Sequence, residues 1–79
     1  MNWSETPTSL TCTFVFTGFT DAFAFMTRVA AAAEEMDHHP DMTISWNKVT
    51  ITLTTHSAGS TVTELDRALA ARVDTLARQ

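Results

Sequence analysis

The sequence predicts an α+β two-layer sandwich, with an antiparallel four-stranded sheet, helices on one face, and the order β-β-α-β-β-α. Three observations predict it. Residues 9–17 (SLTCTFVFT) alternate apolar and polar side chains; residues 22–36 repeat apolar side chains at spacings of three and four; and residues 42–56 hold two alternating runs around a short polar break. The 79 residues are read as one domain, 1–79.

Ahead of the alternating run, NWSE (2–5) reads as a short strand and TPT (6–8) as a turn. In the run itself Leu10, Cys12, Phe14 and Phe16 share one face, with Thr11, Thr13, Val15 and Thr17 on the other, the mark of a half-buried strand. Thr20 and Asp21 are helix-start residues, and Phe19 before them is placed to staple the first turn. Ala22, Phe25, Met26, Val29, Ala32, Ala33 and Met36 then form the apolar stripe of a helix of about 16 residues. Pro40 forces His39 into an extended conformation, so the helix ends near residue 37.

MTISW (42–46) and VTITLTTH (49–56) read as a hairpin around Asn47-Lys48. That turn pairs Trp46 with Val49, Ile44 with Ile51 and Met42 with Leu53, puts Trp46 on the apolar face, and brings His39 opposite His56. SAGS (57–60) is a loop. Thr63 caps the last helix, with Leu65, Leu69, Val73 and Leu76 as its buried stripe alongside Ala68.

Composition removes several function classes. A chain this short buries only about 60–65% of its unfolded surface, which favours oligomers. The net charge is −4, and the five basic residues do not cluster, so neither a nucleic-acid surface nor a polybasic membrane patch is expected. Cys12 is the single cysteine, which leaves no intrachain disulfide or cysteine-based zinc site. No apolar run approaches the roughly 20 residues that span a bilayer. The first residues lack the pattern of a signal peptide, so a reducing, cytoplasmic setting is expected.

The chemistry concentrates in EEMDHHPD (34–41), where His38 and His39 stand among four carboxylates; His56 is the one other histidine. Imidazoles exchange protons near neutral pH, and two or three together can divide acid and base roles. The residues alone leave three readings open: solvated loop histidines, proton-transfer groups, or metal ligands. Adjacent side chains of an extended segment point apart, which makes His38 and His39 poor partners for one ion. Glu34, one turn before His38, is placed to orient it. Asp66, three residues after Thr63, completes a capping box.

The stretches GFTDAFAFMTRVAAAAEEMDHHPD, SWNKVTITLTTH and TELDRALA resemble the pterin-4a-carbinolamine dehydratases over about two thirds of the chain. The family pattern sets an acidic residue four before His-His-Pro, an aromatic six after the proline, a histidine ten further on, and an aspartate downstream. Here these are Glu34, His38-His39-Pro40, Trp46, His56 and Asp66. The resemblance implies dehydration of 4a-hydroxytetrahydropterin to quinonoid dihydropterin, in tetrahydrobiopterin recycling, without a metal or an organic cofactor. It implies His38, His39 and His56 as catalytic residues. It puts His38, His39, Pro40, Thr55, His56, Ser57 and Ala58 against the pterin, with Glu34 and Asp66 tuning the histidines. It also implies a homodimer or homotetramer. Animal relatives serve as dimerisation cofactors of a homeodomain transcription factor, so a non-catalytic dimerisation or regulatory module, with a hydroxylase or transcription factor as partner, is the alternative.

Three departures from the family pattern stand out. Gly59-Ser60 replaces the usual Gly-Gly, the link from His56 to Asp66 is one residue longer, and the helix common ahead of the Trp3 position is not expected here.

Overall fold

A computed structural model describes residues 3–78. The elements are β1 (Ser4–Glu5), β2 (Leu10–Val15), α1 (Phe19–Met36), β3 (Asp41–Ser45), β4 (Lys48–Leu53) and α2 (Glu64–Ala77), with a short 3-10 turn at His56–Ala58. The sheet is antiparallel in the order β1-β2-β4-β3, and the architecture is the expected α+β sandwich. Of the expected first strand, Asn2 lies outside the described residues.

Alternation along the strands sets the two layers. Leu10, Cys12 and Phe14 of β2 and Val49, Ile51 and Leu53 of β4 are buried against Ala22, Phe25, Val29, Ala32 and Ala33 of α1 and Leu69, Ala70 and Val73 of α2. Phe14 and Phe16 both pack on Phe25, with ring centroids 5.1 and 4.9 Å apart. The opposite sheet face carries threonines, whose hydroxyls meet across strands in Thr13–Thr50 (3.0 Å) and Thr11–Thr52 (3.4 Å). β-branched polar side chains suit such a face because they fit the pleat while remaining solvated.

Four expectations change. First, α1 begins at Phe19 with Gly18 as its extended N-cap, so Thr20 and Asp21 lie inside the helix. Thr17 donates to Asp21 across the first turn. Phe19 does not staple that turn; it is exposed and stacks on Phe23. Second, the β3–β4 turn is Trp46-Asn47, and the register pairs Ile44 with Val49 and Met42 with Ile51. The cause lies on β2. The Phe16 amide donates to the Asn47 carbonyl (2.8 Å), and the Asn47 side chain donates back to the Phe16 carbonyl (3.0 Å), which fixes Asn47 as a turn residue. The shift is two residues, so the apolar faces survive it. Third, Trp46 is not a core residue: it takes φ 52° in the turn and is 66% exposed. Fourth, the buried stripe of α2 includes Ala70 instead of Ala68, and Leu65 is exposed.

Two contacts tie the front of the chain to α2. Arg67 grips Glu5 through two 2.9 Å bonds, and the Trp3 indole donates to Asp74 (3.0 Å).

The turn assignment predicts the outcome of Trp46→Gly. Glycine accepts a positive φ freely, so stability by urea denaturation should change by no more than about 1 kcal/mol. A tryptophan packed in the core would cost about 3–5 kcal/mol on truncation.

Candidate active site

α1 delivers the histidine pair through the way it ends. Asp37 adopts the left-handed conformation (φ 50°), the His38 amide donates to the Ala33 carbonyl (3.0 Å), and the Asp37 amide donates to the Glu34 carbonyl (3.2 Å). These paired bonds are the Schellman closure, which satisfies the last carbonyls and turns the chain sharply. His38 consequently points inward, 8% exposed, while the neighbouring His39 side chain points outward, 57% exposed.

The inward imidazole meets Asp66, which is fully buried in the first turn of α2. His38 Nε2 lies 2.6 Å from Asp66 Oδ1. Burial alone would raise the Asp66 carboxyl. Hydrogen bonds from His38, the Thr63 amide and the Thr55 hydroxyl outweigh it and hold the group below the ordinary carboxylate value. Asp66 is therefore an anion and can only accept, which makes His38 Nε2 the donor and leaves Nδ1 as its other ring nitrogen.

The same logic orients the rest of the network. Thr55 spends its one hydroxyl proton on Asp66 Oδ2 (2.8 Å), so the 2.7 Å contact between Thr55 and Thr63 is donated by Thr63. Thr63 in turn accepts from the Leu65 amide (3.3 Å), and its own amide donates to Asp66 Oδ2 (2.8 Å). The expected capping box is thus present, and its acidic member is also the partner of a histidine.

The link from His56 to Asp66 begins as a closed loop. The Thr55 amide donates to the Thr61 carbonyl (3.0 Å), the Ser60 amide donates to the Thr55 carbonyl (3.0 Å), and the Thr61 hydroxyl donates to the Pro7 carbonyl (3.0 Å). Gly59 (φ 82°) and Ser60 (φ 58°) both occupy the left-handed region, where glycine is at ease and serine is not.

The three histidines line one pocket of about 240 Å³. His38 and His39 come from the end of α1, and Thr54, Thr55, His56 and Ser57 from the segment after β4; Asp37 and Leu65 complete the wall. Of the expected contacts, Pro40 and Ala58 do not line it. Glu34 partners His39 (2.6 Å to Nε2) rather than His38, because His38 is turned inward to Asp66. The register ends at Asp41 with Thr52, so His39 and His56 are not a cross-strand pair, and the histidines meet at the pocket instead. His56 Nδ1 lies 3.5 Å from the Ser60 hydroxyl, at the limit of a hydrogen bond. Thr54, Asp37 and Leu65 had no motif to mark them. The signal for Leu65 was its place beside the Thr63 cap, and for Thr54 its place next to the histidine loop.

Among the described residues no group of three His, Cys, Asp or Glu side chains is arranged to hold a metal ion. Nor is any helix among them long and apolar enough to cross a membrane. A larger groove of about 600 Å³ lies at the other end of α1, beside Asp21 and Arg28. It contains no histidine, so the smaller pocket is the one equipped for proton transfer.

Comparison with known proteins shows the family. The family model described as pterin 4 alpha carbinolamine dehydratase matches residues 1–76. A protein of Mesorhizobium japonicum named "Putative pterin-4-alpha-carbinolamine dehydratase" is 56% identical over 66 residues, covering 84% of this chain and 66% of its own length. One of the same name from Thermomicrobium roseum is 49% identical over 75 residues, covering 95% of this chain and 80% of its own. This chain thus spans just under two thirds of the first relative. Among solved structures, a transcriptional coactivator/pterin dehydratase from Brucella melitensis superposes with a TM-score of 0.88 at 39% identity, covering 95% of this chain and 81% of that one. A pterin dehydratase-like protein described as a RuBisCO assembly factor in the alpha-carboxysome superposes with a TM-score of 0.77 at 34% identity, covering 96% and 87%.

The network predicts an acid-dependent stability carried by Asp66. Its carboxyl is more acidic folded than unfolded, so its contribution is complete above about pH 4 and is lost as the pH falls through the lower folded value. Asp66→Asn should cost roughly 2–3 kcal/mol at pH 7. Urea denaturation at pH 7 and pH 3 should show the gap to wild type narrowing at pH 3; an equal gap at both would contradict the assignment.

Proposed function

The chain belongs to the pterin-4-alpha-carbinolamine dehydratase family, and on that premise we propose that it dehydrates 4a-hydroxytetrahydropterin to quinonoid dihydropterin by histidine acid–base catalysis, in tetrahydrobiopterin recycling. The observation that supports this most is a pocket in which three imidazoles meet, one of them backed by a buried carboxylate.

In the reaction the C4a–O bond breaks, the N5 lone pair forms the C4a=N5 double bond, and the N5 proton leaves. Hydroxide departs slowly at neutral pH, so an acid protonates the hydroxyl and water leaves instead. His38 suits the base. Its Nε2–H is committed to Asp66, so Nδ1 takes the proton, and the carboxylate behind the ring stabilises the imidazolium that forms. His56, exposed on the 3-10 turn, suits the acid, because it can be reprotonated from water. His39, paired with Glu34 at the rim, holds the heterocycle or shares the proton work. In this reading neither a metal nor an organic cofactor takes part. The setting is cytoplasmic and the enzyme is a homodimer or homotetramer, a state that the free edges of β1 and β3 favour.

A second reading is a non-catalytic dimerisation or regulatory module. The resemblance to a solved protein described as a RuBisCO assembly factor supports it. So do four large apolar side chains exposed away from the histidines, Val15, Phe19, Phe23 and Trp46.

A dehydration assay separates the two. Wild type should turn over 4a-hydroxytetrahydropterin, and His38→Ala and His56→Ala should each lower kcat about 10²–10⁴-fold. Wild-type turnover no faster than the uncatalysed reaction would remove the enzyme reading and leave the module. Full activity in both variants would remove the assigned roles.

A further inference from the structure

We propose that the groove between the start of α1 and the end of α2 binds a zwitterionic α-amino acid with an apolar side chain. The Arg28 guanidinium holds its carboxylate, and the Asp21 carboxylate holds its ammonium. The groove lies at the opposite end of α1 from the histidines, and the inference does not rest on the reading above.

Arg28 carries a charge that the fold leaves unanswered. Arg67 holds Glu5, and Arg72 holds Glu35. Among the described residues no hydrogen bond or ion pair reaches the Arg28 guanidinium. Its Nε is buried, so that nitrogen has lost water and gained no acceptor. A partly dehydrated cation without a counter-ion is costly, and an anion bound beside it offsets the cost. Nε itself is out of a ligand's reach. The two terminal nitrogens are the contacting atoms: neither is a buried unsatisfied atom, and the side chain lines an open groove of about 600 Å³. Their paired N–H groups match the two oxygens of a carboxylate. The groove volume falls within the range of small-molecule sites, roughly 300–1,000 Å³.

Asp21 defines the other half of the ligand. It lies two turns before Arg28 on the same side of α1 and lines the same groove, yet the two side chains form no ion pair. Helix rise separates their Cα atoms by about 10.5 Å, and a helical side chain leans towards the N-terminus, which carries the guanidinium towards Asp21. The gap between the opposite charges suits a short zwitterion. A simple anion would meet repulsion from Asp21. The Thr17 hydroxyl occupies Asp21 Oδ2, which leaves Oδ1 to accept from an ammonium. Val15, Phe16, Ala24 and Ala77 supply the apolar wall against which the ligand's side chain lies.

The probe is L-leucine, titrated while the backbone amide ¹H–¹⁵N shifts are followed. Binding should saturate with a Kd on the order of 1 mM, and the shifts should centre on the amides of Val15, Phe16, Asp21, Ala24, Arg28 and Ala77. Glycine lacks the apolar body, 4-methylpentanoate the ammonium, and 3-methylbutylamine the carboxylate. Each should bind at least about fivefold more weakly than leucine. Arg28→Gln and Asp21→Asn should weaken leucine binding by a similar factor, and Arg28→Lys, which keeps the charge, should lose less. The three analogues are titrated into wild type, so they decide the outcome even where a variant fails to fold. No saturable shift with leucine, or shifts centred on the histidine pocket, would overturn the proposal. So would 4-methylpentanoate binding as tightly as leucine, or equal leucine binding by wild type and a folded Arg28→Gln.

Discussion

The bond between the buried Asp66 carboxylate and His38 links the parts of this small protein that matter most to its site. Asp66 is held from three directions: its own helix cap, the segment after β4, and the turn that ends α1. A buried carboxylate without such partners would be protonated or would destabilise the fold. With them it stays charged, and it fixes which nitrogen of His38 holds the proton. One residue thus starts α2, braces the end of the sheet and orients an imidazole.

The other parts serve that arrangement. The Schellman closure at Asp37 turns His38 in and His39 out, which gives two adjacent, chemically identical side chains different surroundings. The core formed by β2, β4, α1 and α2 holds the end of one helix against the start of the other. The ion pair of Arg72 with Glu35 (3.2 Å) crosses between the same two helices, but it is exposed and adds little.

Much of the fold was legible in the sequence because burial has a period. Leu10, Cys12 and Phe14, and again Val49, Ile51 and Leu53, announce their strands and their inward face by alternation alone. Alternation cannot choose between registers two residues apart, which is why the hairpin turn was misplaced. The deciding contact, Phe16 with Asn47, joins residues far apart in sequence. The site divides in the same way. The histidines and Asp66 were visible as residue types at family spacing. Their partners were not, since sequence proximity favoured Glu34 for His38, whereas the sharp turn at Asp37 gives Glu34 to His39.

The central claim is that Asp66, ionised and buried, holds His38 with its proton on Nε2. Long-range ¹H–¹⁵N correlation spectra of the histidine side chains at pH 8 test it directly. The account predicts a protonated Nε2 on His38, with Nδ1 as the nitrogen that takes up a proton on acidification, and loss of this tautomer preference in Asp66→Asn. A His38 whose Nε2 is unprotonated while Nδ1 carries the hydrogen would contradict it.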